Sequence, residues 1–196
     1  MKAEYAFFVT LIAKQTIFFF LWARFSSKFS VQLISLVREL LFSEDFKVKH
    51  RTSPRHFIRD RILTFPLVVL FIANFRKGSL QDDLDQLFQA IFKLDVSERV
   101  VTRSAISQAR RKVSHGVYID LQDAVCEFVN NNAPLLTYNG MRVFAVDGST
   151  MIVPDTSENR EHFGTTSENE TKRAIGRVSI LHDVLNRITI DAMLRP

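Results

Sequence analysis

The residues best suited to chemistry lie in one short stretch, Val143-Phe144-Ala145-Val146-Asp147-Gly148-Ser149-Thr150. An apolar run leads into a single carboxylate, then a glycine and two small hydroxyl residues. A strand that carries an acid to its end, with a glycine turn behind it, presents that acid at the rim of a sheet. There a hard divalent cation can take oxygen ligands. Asp147 is therefore the candidate metal ligand and catalytic residue. A turn or helix-cap aspartate has the same local sequence, so the stretch by itself leaves both roles open.

The second chemistry is cationic. Residues 46–61 are dense in Lys and Arg, and Asp60 is the only acid among them. Ser53-Pro54 predicts a helix start, with Pro at the first helical position. Arg55 and Arg59 would then stand four apart on one face, and Arg61 follows. Further along, Arg103, Arg110, Arg111 and Lys112 make a second basic group. Guanidinium groups on a packed helix suit phosphate contact. A solvated basic face, or cations complementing a helix C-terminus, would read the same way.

Local pattern predicts the elements that must hold these residues. Leu33, Ile34, Val37, Leu40 and Leu41 recur at helical spacing. Thr64-Phe65-Pro66 opens another helix, apolar through Ala73 and closed by Gly78. Ser79 with Asp82 is a variant capping box, followed by a stripe of Leu80, Leu84, Leu87, Phe88, Ile91 and Phe92. Residues 102–113 predict a helix with Ala105, Ile106 and Ala109 inside. Residues 117–129 predict the next, ended by Asn130-Asn131-Asn132-Ala133-Pro134. Residues 31–139 thus read as a basic bundle of about five helices.

From residue 140 the pattern changes. Residues 142–146 predict a buried-type strand, and Thr150-Met151-Ile152-Val153 extends the apolar character beyond Asp147. Residues 157–171 are polar and read as a surface excursion. Residues 174–184 predict a second strand, Leu185-Asn186 a turn, and residues 187–193 a third strand by alternation. Three strands with tight connections make an antiparallel meander with an open edge. The fold class is α+β: an N-terminal helical bundle, then a sheet.

Composition sets the limits. The chain has 196 residues, 46% of them hydrophobic, with 26 Lys and Arg against 21 Asp and Glu. The net charge of +5 and pI near 9.6 favour an anionic partner, nucleic acid first and membrane surface second. One cysteine, Cys126, excludes a disulfide framework and fits a reducing, cytoplasmic setting as a buried filler. There is no zinc-ligand spacing, no Gly-rich phosphate loop, no Ser-His-Asp arrangement and no repeat. Residues 6–22 are almost continuously apolar, with Lys14 and Gln15 inside the run. A membrane segment, a helix packed on a partner, and extra residues without a role in the fold all fit residues 1–30.

Taken together, Asp147-Gly148-Ser149-Thr150, Val153-Pro154-Asp155, Glu158-Asn159 and Phe163-Gly164 resemble the first catalytic block of bacterial insertion-sequence transposases of the DDE type, nearest the insertion sequence 4 family. Arg177, Leu181-His182-Asp183 and Ile190-Asp191-Ala192 resemble the two strands that follow. Residues 57–65 and 104–110 resemble the N-terminal region of the same family. The resemblance runs from about Leu33 to Pro196.

It implies that residues 140–196 are the first three strands of an RNase H-like domain. In that family three acids hold two Mg²⁺ or Mn²⁺ ions for DNA cleavage and strand transfer, and Asp147 matches the first. The resemblance places the second Asp after a fourth strand and the Glu on a later helix. Both are then expected outside this polypeptide, leaving it a truncated enzyme, inactive alone. Asp155, Asp183 and Asp191 do not match a ligand position. The partners implied are double-stranded DNA at transposon ends, and either a second copy or a complementary C-terminal fragment. A DNA-binding fragment without catalysis, and a small membrane-associated protein, are the alternatives.

Overall fold

The computed structural model describes residues 27–59, 61–74, 79–92, 99–165 and 173–196. The apolar run at 6–22, Asp60, Gly78 and the later part of the polar excursion lie outside the described residues. The chain divides into two compact units, Met1–Ala133 and Pro134–Pro196.

The described part of the first unit is helical. It contains α1 (Ser27–Phe42), α2 (Glu44–His50), α3 (Phe65–Ala73), α4 (Leu80–Phe92), α5 (Arg103–Arg110) and α6 (Gly116–Asn132). The periodic residues of α1 do become its inner face: Leu33, Ile34, Val37 and Leu41 are buried. The helix α3 is apolar on all sides, because it is central and serves two clusters. Val68 and Phe71 face a cluster with Leu84, Leu87 and Phe88 of α4 and Ile106 and Ala109 of α5. Phe65, Val69 and Leu70 face a second cluster with Ile34, Val37 and Leu41 of α1 and Val117 of α6. Phe57 and Val113 pack against both clusters.

The helix predicted to start at Pro54 does not form. Residues 51–59 run as a bridge, turns and bends. His56 N donates to Ser53 O at 3.0 Å, closing a turn, and Phe57 then takes a left-handed φ of 56°. That conformation costs a non-glycine residue energy, and burial offsets the cost here. The Phe57 ring meets Phe65 edge-on at 5.6 Å. Arg55 and Arg59 are therefore loop residues and share no helix face. The predicted helix at 102–113 is shorter, ending at Arg110, and the end of α2 covers the first five residues, 46–50, of the basic stretch.

The second unit is a three-stranded antiparallel sheet of order β1-β2-β3, with β1 Phe144–Ile152, β2 Ile175–Asp183 and β3 Ile188–Arg195. This meander, joined to the helical unit before it in sequence, makes the chain α+β. A short helix, α7 (Ser157–Phe163), lies between β1 and β2. Thr156 caps it by accepting from Asn159 N at 3.2 Å, and Gly164 ends it at φ 83°.

Asn186 ties segment 134–136 to the sheet. Its side chain accepts from Leu136 N at 2.8 Å and donates to Leu136 O at 3.0 Å. The strand β1 is exposed along its whole length, where a buried strand was predicted. Its alternating residues leave apolar side chains on both faces: Phe144, Val146 and Ile152 on one, Met151 on the other.

Candidate functional site

Two places carry the residues singled out by type and spacing. The first is β1. The strand does not end at Asp147, and Gly148 makes no turn. Nine residues stay extended, because each has a partner on β2: Asp147 opposite Ile180, Gly148 opposite Ser179, Ser149 opposite Val178. Asp147 is thus the fourth residue of a continuous strand, within the outer strand of the sheet and not at a strand end.

Its carboxylate is exposed, and among the described residues no hydrogen bond or ion pair engages it. It caps no helix. Strand alternation places it on the face shared with Ile180 and Ala192, which are paired across β2 and β3. Asp191 pairs with Leu181 and so lies on the opposite face. Its Oδ1 accepts from the neighbouring Ala192 N.

Two further acids of the unit, Asp183 and Asp155, are already engaged. Asp183 is fully buried at the end of β2. Its Oδ2 accepts from Arg142 Nε at 2.8 Å, and its Oδ1 accepts from the Asn186 main-chain N and side-chain Nδ2, both at 2.9 Å. Burial pushes the Asp183 carboxyl up, but the hydrogen bonds from Asn186 and Arg142 outweigh it and hold the group below the usual carboxylate range. The Arg142 guanidinium also stacks over Phe144, 5.0 Å from the ring centre. Asp155 pairs with Arg160 on the surface, which lowers its carboxyl.

Among the described residues no group of three or more His, Cys, Asp or Glu could hold a metal ion. The residues around Asp147 therefore do not by themselves fit a two-ion site, and no step through metal can be built from them.

The second place is the basic side of the first unit. Here the structure joins what the sequence keeps about sixty residues apart. Arg51 bridges Val113 in antiparallel sense. Thr52 N donates to Lys112 O at 3.0 Å, Thr52 Oγ1 to Arg111 O at 3.4 Å, and Ser114 N to His50 O at 2.8 Å. The loop that carries Arg55 therefore starts alongside Arg111 and Lys112. Arg55, Arg59, Arg61, Arg103, Arg110 and Arg111 are exposed, and Lys112 is half-buried. None of the seven pairs with a carboxylate among the described residues.

Behind this surface, buried His50 stacks on Phe46 at 4.5 Å and brings Nε2 to 2.9 Å from Asp120 Oδ2. Lys49 reaches the same oxygen. Its hydrogen bond is the largest influence lowering the Asp120 carboxyl, with His50 adding to it. Asp120 is thus engaged by Lys49 and His50 of α2.

No family model matches this chain, and neither a curated protein nor a solved structure does.

The seam between 50–52 and 111–114, which the sequence reading did not find, creates the combined basic surface. Its only sequence signal is the presence of two basic groups, since nothing local specifies their pairing. Gln81 was also missed. Its Oε1 accepts from Arg103 N at 2.8 Å and its Nε2 donates to Val101 O at 3.0 Å, so it fixes the entry to α5. Among the described residues no helix is long and apolar enough to cross a membrane.

Proposed function

We propose that this is a DNA-binding protein of the DDE transposase type. In this reading the helical unit holds double-stranded DNA, such as transposon ends. The sheet unit corresponds to the opening strands of an RNase H-like domain, with Asp147 as the first of its Mg²⁺ or Mn²⁺ ligands. The remaining carboxylates of such a site are not among the described residues, so cleavage and strand transfer are not assigned to them.

One observation carries the DNA reading: Arg55, Arg59, Arg61, Arg103, Arg110 and Arg111, from two separate stretches, are all exposed and unpaired among the described residues, and a main-chain seam joins the stretches. Exposed guanidinium groups suit phosphate oxygens. The membrane reading rests on the residue 6–22 segment, outside the described residues. The order and spacing of the resembling motifs support Asp147, as does its exposed carboxylate, which is free to take a ligand.

The test is duplex binding by the full chain across a salt series. Binding should weaken steeply with salt, since each phosphate contact releases counterions. Replacing Arg55, Arg59 and Arg111 together with Ala should lower the log–log slope by about 0.9 per lost contact. A slope unchanged by the triple replacement would remove these residues from any DNA interface.

A further inference from the structure

The helix α5 differs from its neighbours in what it turns outward. Thr102 caps its start, accepting from Ala105 N at 3.3 Å, and Gln81 of α4 locks the Arg103 main chain from outside. Ile106 and Ala109 are buried and Ala105 is half-buried, which anchors one side in the core. The opposite side carries exposed Ser104, Gln108 and Arg111, with half-buried Ser107 beside them, at spacings of three and four residues. Arg111 keeps helical angles (φ −67°, ψ −13°), so the stripe continues past the last turn. Arg103 and Arg110 flank it.

This stripe has no acid and no large apolar group. Its two serines are small, and its two long side chains are the types that bond base edges in pairs. Glutamine matches adenine N6 and N7, and arginine matches guanine O6 and N7. A single α-helix fits the major groove, about 12 Å wide. Eight residues span about 12 Å, or on the order of three to four base pairs. Phosphate contacts orient a protein on DNA but carry no sequence information, and bases are read by other groups that enter the grooves.

We infer that α5 is the base-reading element, lying in the major groove with Gln108 and Arg111 against base edges, while Arg55 and the flanking Arg103 and Arg110 hold the backbone. The inference rests on the DNA reading above and adds sequence preference to it. Ser104 and Ser107 let the helix approach closely. Gln108 is already steered outward, donating to Ser104 Oγ at 3.3 Å.

The experiment is selection of duplexes from a randomised pool by the full-length protein, repeated with Gln108→Ala, Gln108→Glu, Arg111→Ala and Arg59→Ala. The wild-type chain should enrich a short motif containing adenine and guanine. Gln108→Ala should cut discrimination at one adenine by about tenfold to a hundredfold. Gln108→Glu should move the preference there towards cytosine, whose amino group a carboxylate accepts, an outcome that misfolding would not give. Arg111→Ala should relax a guanine, and Arg59→Ala should weaken all sequences alike. Retention of duplex with no enriched motif, or with a motif that the Gln108 and Arg111 variants leave intact, would overturn the role of α5 and leave DNA binding standing. Failure to retain any duplex would overturn both.

Discussion

The two units reach order by different means. In the helical unit, the described elements close around two apolar clusters that share α3, and large side chains such as Phe65, Leu84 and Phe88 are almost wholly removed from water. In the sheet unit the buried apolar residues are few and mostly small, among them Val153, Ala174 and Ile188. Its fully buried side chains include a carboxylate and an amide, Asp183 and Asn186. Apolar burial is roughly proportional to area and indifferent to direction, so the first unit is bound at many points. The second depends on a strand ladder and one directional polar cluster at the end of β2. A core of the first kind suits the DNA contact proposed for the helical unit. A sheet of the second kind leaves Asp147 on an open face.

The comparison breaks first where the largest side chains are cut. Phe88→Ala removes a ring that is 1% exposed from the cluster between α3, α4 and α5, and should cost about 3–5 kcal/mol. Hydrogen exchange read by peptide should show lost protection throughout α3 to α5 and little change in β2 and β3. Equal loss in both units would mean they do not fold on separate foundations.

Next comes the polar cluster. Asp183→Ala removes the acceptor of the Arg142 guanidinium and leaves the Asn186 amide only Leu136 O, an expected cost of about 3 kcal/mol, read as lost protection in β2 and β3. The same cluster sets an acid limit. The Asp183 carboxyl is lowered in the folded chain, so it favours folding fully above the unfolded value, about pH 4. That contribution disappears as pH falls through the lower folded value. Below about pH 4 the sheet should therefore lose protection before the helices do, and Asp183→Ala should abolish that difference.

Much of this was legible in the sequence, and the limit has a physical cause. Where order comes from contacts three or four residues apart, as in α1 and in α4 with its Leu84, Leu87 and Phe88, composition and spacing sufficed. Alternation and the Leu185-Asn186 turn likewise announced β2 and β3. What failed was set by distant partners. Gly148 and Ser149 look like a turn, yet pairing with Ser179 and Val178 holds them extended. Ser53-Pro54 looks like a helix start, yet the seam to Lys112 and the burial of Phe57 take the chain elsewhere. The candidate residues themselves were read by type. Their grouping, with Thr52 at the start of the Arg55 loop bonded to Arg111 and Lys112 and Asp147 set apart from Asp191, needed the fold.

A smaller effect probes α5. Thr102→Ala removes the cap on Ala105 N and should cost about 1 kcal/mol. The loss should stay local, because Gln81 still holds Arg103 N. Amide protection at residues 103–106 reports it. If sequence preference in the selected duplexes also falls, the rigidity of the helix start contributes to base reading. If only overall affinity falls, the cap supports the phosphate contacts alone.

The smallest expected effect is the sharpest on the difference between the units. Val146 is 75% exposed, on the apolar side of β1 with Phe144 and Ile152. An exposed valine loses little when truncated, so Val146→Ala should change stability by no more than about 0.5 kcal/mol, mainly through reduced strand preference. The same change at Val68, 0% exposed in the helical unit, should cost several times more. A cost for Val146→Ala approaching that of Val68→Ala would mean that something covers β1 in solution. The sheet would then owe its order to apolar burial after all, and the contrast between the units would vanish.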